Sequence, residues 1–302
     1  MRRLVAAVIA IGVVGGAAFW LLTVPRTIAA DEMPAHAPDV TNGELVFWAS
    51  GCESCHADPD ARGEDRLRLG GGRTLSTPFG NFTVPNISPD PVDGIGGWTP
   101  VDFVNAMKYG VAPGGYHLYP AFPYPSYQRM TIEDVIDLKA FMDTLPPISG
   151  RAAPHDLGFP FTIRRGIGLW KWLYAGNDTF VPDPAASDLL NRGAYLVQGP
   201  GHCGECHTPR NAIGGPTAGR AYAGGPSPVG KGKIPNITPH RNGIGTYSPA
   251  ELVTLFETGL TPSFDSVGSE MALVVLSLGE LPKSDLEAIA AYLMTLSPLA
   301  SR

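Results

Sequence analysis

Apolar residues run without interruption near the N-terminus. Residues 4–24 contain no charge and follow Arg2 and Arg3. A segment of this length crosses the roughly 30 Å hydrocarbon layer as a helix, with its basic flank in the cytoplasm. The pattern predicts a single uncleaved anchor over residues 1–24, with the remaining chain exported. A cleaved signal peptide ending near Ala30 is the alternative.

Further along, two segments carry the same succession of helix signals. Thr99-Pro100 and Ser248-Pro249 each place a capping hydroxyl before a first-turn proline, and Gly110 and Gly259 are positioned to end these helices. Apolar positions at helical spacing then predict a final helix in each half. These final helices are expected over about residues 131–145 and 283–296.

The two halves also share loop sequences. Pro85-Asn86-Ile87-Ser88-Pro89 matches Pro235-Asn236-Ile237-Thr238-Pro239 at nearly the separation of the other shared motifs. The chain is therefore interpreted as an internal duplication, mostly α, with two tandem domains behind the N-terminal transmembrane helix. The predicted division is an anchor or signal over 1–24, a tether over 25–40, a first domain over 41–147, a linker over 148–187 and a second domain over 188–302.

Composition limits the possible partners. The chain has 302 residues, of which 44% are hydrophobic and 17% charged, and this balance is typical of a globular protein. Its 37 Gly and 30 Pro predict long loops around a few helices. The net charge of -6 gives no basic surface for a phosphate backbone, so no nucleic acid partner is expected.

All four cysteines lie in two copies of one motif, Cys52-Glu53-Ser54-Cys55-His56 and Cys203-Gly204-Glu205-Cys206-His207. A disulfide framework or a zinc site would use paired cysteines, but neither requires a histidine after each pair. Covalent haem requires both, because two sulfurs bond the porphyrin edge and the next imidazole binds iron. The motifs predict two covalent haem c groups, on Cys52 and Cys55 and on Cys203 and Cys206, with His56 and His207 as proximal ligands.

The order of elements around these motifs resembles the cytochrome c fold. More specifically, the chain resembles the cytochrome c subunits of membrane-bound alcohol dehydrogenases and the cytochromes that serve periplasmic molybdenum hydroxylases. This resemblance covers about residues 41–300, although the alcohol dehydrogenase subunits usually carry a third haem domain. It is carried by residues 84–90, 94–98, 117–127, 201–210 and 288–296.

The resemblance also bears on the sixth ligand of each iron. It places the axial methionine of the second domain at Met271, in the loop before the final helix. In the first domain, Phe122 stands where related subunits have methionine. His117 is the ligand expected there, with Met130 or an empty site as alternatives. Met130 aligns with Leu281 and is equally explained as a hydrophobic staple on the final helix.

The resemblance implies electron transfer. The expected role is to relay electrons from a periplasmic dehydrogenase to a quinone, a soluble cytochrome or a terminal oxidase, with the anchor in the bacterial cytoplasmic membrane and the haem domains in the periplasm. The alternative is a di-haem enzyme, such as a peroxidase or a thiosulfate-oxidising cytochrome, for which Phe122 is the motivation. A subunit that only holds a dehydrogenase at the membrane is a third hypothesis.

Overall fold

The structure is a computed structural model that describes residues 1–176 and 178–301. Helix α1 covers Arg2–Leu22 and buries none of its residues against the rest of the chain. At about 1.5 Å per residue it is about 31 Å long, so its length and composition suit a bilayer crossing. The helix ends at Thr23, whose side chain is fully buried.

The first half of the chain follows α1. Its helices are α2 (Val40–Ser50), α3 (Cys52–His56), α4 (Pro100–Tyr109), α5 (Tyr124–Tyr127) and α6 (Ile132–Met142). Strands β1 (Thr74–Thr77) and β2 (Gly80–Thr83) form a hairpin, which β3 (Asp156–Leu157) extends as an antiparallel neighbour of β2. Leu75 pairs with Phe82 in the hairpin.

The second half repeats this order after α7 (Ile167–Tyr174). Its helices are α8 (Asp188–Gln198), α9 (Cys203–His207), α10 (Pro249–Thr258), α11 (Glu270–Leu278) and α12 (Lys283–Leu293). Strands β4 (Gly225–Pro226) and β5 (Lys233–Ile234) form a short antiparallel pair. The buried apolar side chains of both halves form one continuous hydrophobic core.

The helix signals read from the sequence are confirmed. Thr99 and Ser248 each accept a hydrogen bond from the backbone of the third helical residue, which bonds back in a capping box. Gly110 and Gly259 end α4 and α10 with φ of 58° and 74°, in the left-handed region that favours glycine. The capped helices therefore begin and end where the sequence placed them.

The final helices are shorter than predicted. Helix α6 ends at Met142 and α12 at Leu293, and a hydrogen-bonded turn follows each. Met130 precedes the capping residue of α6 and is fully buried, as is Val135 one turn into that helix. This burial is what the staple interpretation of Met130 requires.

One element differs in kind from the sequence prediction. Met271 was expected in a loop, but it lies in the first turn of α11, a helix of nine residues. The run from Met271 to Leu276 is apolar and contains neither glycine nor proline, so a helix satisfies its backbone groups while burying part of its surface.

Equivalent helix pairs cross closely in the two halves. Helix α2 packs on α6 and α8 packs on α12. A Cβ atom on Gly43 would collide with the carbonyl oxygen of Asp137, and one on Gly193 would collide with that of Ala288. Only glycine allows these backbones to approach so closely.

We expect Gly43→Ala to destabilise the protein by about 1–3 kcal/mol, because the collision with Asp137 forces the helices apart. This result would reverse the usual effect of alanine, which stabilises a helix interior by about 1 kcal/mol relative to glycine. Urea unfolding followed by circular dichroism measures the change. Gly158→Ala is the control, since a Cβ there meets nothing within 4 Å. Equal midpoints for the two variants would contradict the close crossing.

Candidate functional site

Each Cys-x-x-Cys-His motif forms a short helix immediately after a longer one. Helix α3 begins after Gly51, which has φ of 56°, and α9 begins after His202, which has φ of 37°. These left-handed residues reverse the chain between the paired helices. Because residues three and four apart share a helix face, both cysteines and the histidine of each motif point the same way.

The two motif histidines make the same hydrogen bond. Nδ1 of His56 lies 2.8 Å from the carbonyl oxygen of Pro85, and Nδ1 of His207 lies 2.8 Å from that of Pro235. A carbonyl oxygen only accepts, so Nδ1 must donate and Nε2 keeps its lone pair for a metal. Burial lowers the pKa of His56 to about 4, and it also lowers the pKa of His207, so both rings are neutral at neutral pH.

This geometry fits haem c. Each motif offers two cysteines beside one imidazole that is oriented by a carbonyl and free at Nε2. The structure does not favour the zinc alternative, because no group of three or more His, Cys, Asp or Glu in residues 1–176 and 178–301 is arranged to hold a metal ion. None of the four cysteines is paired in a disulfide, so the structure does not favour the disulfide framework either.

The first motif is tied to the second half of the chain by Glu53. Its buried carboxylate accepts hydrogen bonds from Ser277 of α11 at 2.5 Å and from Arg66 at 2.9 Å. Arg66 also donates to the carbonyl oxygen of Leu276 at 2.9 Å and to Glu280 at 2.6 Å. The guanidinium therefore neutralises Glu53 and fastens α11 to the first motif.

The second motif is tied to the first half in the same manner. Glu205 accepts a hydrogen bond from Ser126 of α5 at 2.8 Å and one from Arg210 at 2.7 Å. Ser126 and Ser277 occupy equivalent places in the duplication, on α5 and α11. Each motif helix is thus hydrogen-bonded to the helix that precedes the final helix of the other half.

These reciprocal contacts bring the two motifs close to each other. Desolvation, together with the negative charges of Glu205 and of Cys55 in the other motif, raises the pKa of the Cys206 thiol to about 11. Cys55 is therefore close enough to Cys206 for its charge to act on that thiol.

Tyr127 lies between the motifs and was missed by the sequence analysis. Its hydroxyl donates to the carbonyl oxygen of Ser50 at 3.2 Å, immediately before the first motif. The centroid of its ring lies 5.4 Å from that of Phe122 and 5.4 Å from that of His202. The residue before Tyr127, Ser126, recurs in the second half as Ser277. This repeat was the only signal in the sequence that the segment around Tyr127 faces a motif.

Met271, the predicted axial ligand of the second haem, is half-buried at the start of α11. Its neighbour Glu270 accepts from Arg73 at 2.6 Å, and Arg73 donates to the carbonyl oxygen of Ser54 at 2.8 Å. The first turn of α11 is therefore tied through Arg73 to the first motif.

His117 is buried against the end of α1. Its Nε2 lies 2.8 Å from the carbonyl oxygen of Thr23, so Nε2 donates and Nδ1 keeps its lone pair. Nδ1 is buried and makes no hydrogen bond to any residue that the structure describes. Burial lowers the pKa of this ring, which favours the neutral, metal-competent form. Tyr127, the residue between the motifs, is contacted by the ring of Phe122, five residues after His117.

The other candidate for the first iron, Met130, is fully buried in the hydrophobic core. Its side chain lies against Gly199 at the end of α8, where a Cβ would lie 3.7 Å from Cγ of Met130. Packing between the halves thus accounts for this methionine without a metal.

We expect Arg66→Met to lower the free energy of unfolding by about 3 kcal/mol at neutral pH, because it leaves Glu53 charged, buried and unpaired. Burial raises the pKa of Glu53, so the stability contributed by its protonated form is present at low pH and lost as pH rises through the folded-state pKa. The deficit should therefore shrink on acidification. Urea unfolding at acidic and neutral pH tests this.

The matched control is Arg68→Met, since Arg68 is exposed. A deficit in Arg66→Met that is as large at acidic as at neutral pH would show that its origin is not the charge of Glu53.

Comparisons with known proteins identify the family to which the chain belongs. No family model matches the chain. The chain is 48% identical over 293 residues to a protein of Cereibacter sphaeroides named "Diheme cytochrome c-type", covering 97% of this chain and 98% of that protein.

Two longer relatives are named as cytochrome subunits of dehydrogenases. The chain is 37% identical over 262 residues to the fructose dehydrogenase cytochrome subunit of Gluconobacter japonicus, covering 86% of this chain and 53% of that protein. It is 33% identical over 298 residues to the cytochrome c subunit of the quinone alcohol dehydrogenase of Komagataeibacter europaeus, covering 94% of this chain and 61% of that protein. These similarities confirm the family resemblance seen in the sequence: the chain belongs to the di-haem c-type cytochromes.

Proposed function

We propose that the chain is an electron-transfer protein that holds two covalent haem c groups next to each other. Cys52 and Cys55 bond one haem and Cys203 and Cys206 the other. The observation that carries this proposal is the reciprocal packing of the motif helices, through Ser277 on Glu53 and Ser126 on Glu205. Such an arrangement suits transfer of electrons within one chain. The relatives named as dehydrogenase cytochrome subunits do not favour the di-haem enzyme alternative.

Haem c supplies the one-electron iron couple at each site. The surrounding residues orient and shield it. The carbonyl oxygens of Pro85 and Pro235 fix the tautomer of His56 and His207, so that each presents Nε2 as proximal ligand. Tyr127, buried between the motifs, excludes water from the space they share.

The duplication supports two tandem cytochrome c domains, over residues 41–147 and 188–302, joined by a linker over 148–187. Each has one motif helix, one capped helix with its glycine stop and one helix crossing at glycine. The continuous core between them explains how two such domains hold a fixed relative position.

The sixth ligands proposed are Met271 for the second iron and His117 for the first. Nδ1 of His117 is the nitrogen left free by the bond to Thr23. A thioether raises the potential of haem iron relative to a second imidazole. We therefore infer that the second site has the higher potential and that electrons run from the first half to the second.

The partner proposed is a periplasmic dehydrogenase, by analogy with the relatives named as dehydrogenase cytochrome subunits. The acceptor is a membrane quinone, a soluble cytochrome or a terminal oxidase. Helix α1 anchors the chain in the cytoplasmic membrane, with Arg2 and Arg3 inside and the haem-binding part in the periplasm.

We expect Met271→Ala to abolish the near-infrared methionine-to-iron charge-transfer band and His117→Ala to make one haem high-spin while leaving that band unchanged. Each variant removes one sixth ligand, so each should alter one iron only. Absorption and electron paramagnetic resonance spectra of the oxidised protein measure both effects. Met130→Leu is the control, because leucine keeps the buried apolar volume.

A low-spin first haem in His117→Ala would reject His117 as a ligand. A high-spin haem in Met130→Leu would assign the iron to Met130 instead. An unchanged charge-transfer band in Met271→Ala would reject Met271.

A further inference from the structure

The residues just before the short helix α7 are hydrogen-bonded to the C-terminal end of α1. Arg165, just before α7, donates from Nε to the hydroxyl of Thr23 at 2.9 Å and from Nη2 to the carbonyl oxygen of Trp20 at 2.8 Å. Its guanidinium lies 4.2 Å from the centroid of the Trp20 ring. A cation at the C-terminal end of a helix is favourable for the helix dipole.

Helix α7 itself packs directly on this point. A Cβ on Gly168 would lie 2.7 Å from Cα of Thr23, so glycine is needed for the close approach of the two backbones. On the same side of α7, Lys171 donates to the carbonyl oxygens of Tyr109 and Gly110 at 2.6 Å each. These contacts fix one face of α7 to α1 and to the end of α4.

An adjoining face of α7 is apolar and has no cover among residues 1–176 and 178–301. Leu169, Trp172 and Leu173 follow the i, i+3, i+4 spacing of one helix face and are 39%, 76% and 57% exposed. In the turn before the helix, Phe159 is 82% and Ile163 48% exposed. We call these five side chains the α7 face.

The length of α1 fixes where the membrane surface must lie. With Arg2 and Arg3 at the inner surface, about 31 Å of helix carries Thr23 to the outer boundary of the hydrocarbon layer. Trp20, one turn earlier, is 62% exposed and belongs to the residue type enriched at this boundary. Because α7 packs on Thr23, its exposed apolar face lies at the same level.

We propose that the α7 face lies in the outer interfacial layer of the bilayer beside α1, as a second membrane contact of the chain. This inference rests on the proposed anchoring by α1. An apolar helix face with a tryptophan beside arginines is typical of a helix lying in the plane of the interface. The occupant of the face is therefore lipid.

This second contact sets the orientation of the haem-binding part. A single helix would leave the body free to rotate and tilt about α1. Contact through α7 restricts that motion, because the helix is bonded to α1 through Arg165 and to the body through Lys171. Trp170 also donates to the carbonyl oxygen of Ile213 at 3.0 Å, so the second half is included in the same arrangement.

Hydroxyl-radical footprinting of the native holoprotein tests the proposal, in nanodiscs of phosphatidylethanolamine and phosphatidylglycerol with oxidation quantified by mass spectrometry. Phe159 and Phe264 form a matched pair, since they are 82% and 85% exposed and Phe264 lies in the second half outside the α7 face. We expect oxidation of Phe159 to be several-fold slower than that of Phe264, with Trp172 as protected as Trp20.

Equal oxidation of Phe159 and Phe264 with Trp20 still protected would overturn the α7 contact while leaving the anchor in place. Rapid oxidation of both Trp20 and Trp172 would reject the anchor and the inference together. Protection of Phe159 that appears in native membranes but not in nanodiscs would assign the face to a partner protein and would also overturn the proposal.

Discussion

The arrangement of the two sites depends on one buried charge, the carboxylate of Glu53 within the first motif. Burying a carboxylate is unfavourable unless it is paired and hydrogen-bonded, and here Arg66 and Ser277 both donate to Oε1 of Glu53. Ser277 belongs to the second half and Glu53 to the first. The hydrogen bond between them therefore also fixes the position of one half relative to the other. The cation of Arg66 is itself held over the Trp48 ring, at 4.5 Å from its centroid.

A second interaction links the two halves through Ser126, which is equivalent to Ser277 in the duplication, although Glu205 aligns with Ser54 and not with Glu53. Ser126 reaches across to Glu205, while Tyr127 fills the space between the first motif and His202. Each motif helix therefore makes contacts with the other half as well as with its own. Because the two halves pack reciprocally, both Cys-x-x-Cys-His motifs lie near the interface between them. The linker between the halves alone would not place them there.

Local features of this structure could be predicted from the sequence because local chemistry determines them. The capping boxes at Thr99 and Ser248 and the stops at Gly110 and Gly259 depend on residues within one or two helical turns. The motif histidines likewise follow from a five-residue pattern. The carbonyl partners of those histidines lie 28 or more residues away, and no spacing rule indicated them.

Features that depend on long-range packing could not be predicted. Glu53 and Ser277 are 224 residues apart, and neither residue type signals an interface. The hydrogen bond from His117 to Thr23 joins residues 94 positions apart. It gives this histidine a structural role in addition to the proposed binding of iron. The helix that contains Met271 forms because its apolar side chains are partly buried in the assembled fold. The sequence alone predicted a loop there.

We propose that reciprocal packing places the two haem sites close enough to exchange electrons within one chain. Pulse radiolysis of the oxidised holoprotein tests it most directly, by injecting less than one electron per chain and following redistribution between the two haem spectra. We expect a fast redistribution whose rate does not depend on protein concentration. A rate proportional to protein concentration would mean that electrons pass between molecules, and it would contradict the claim.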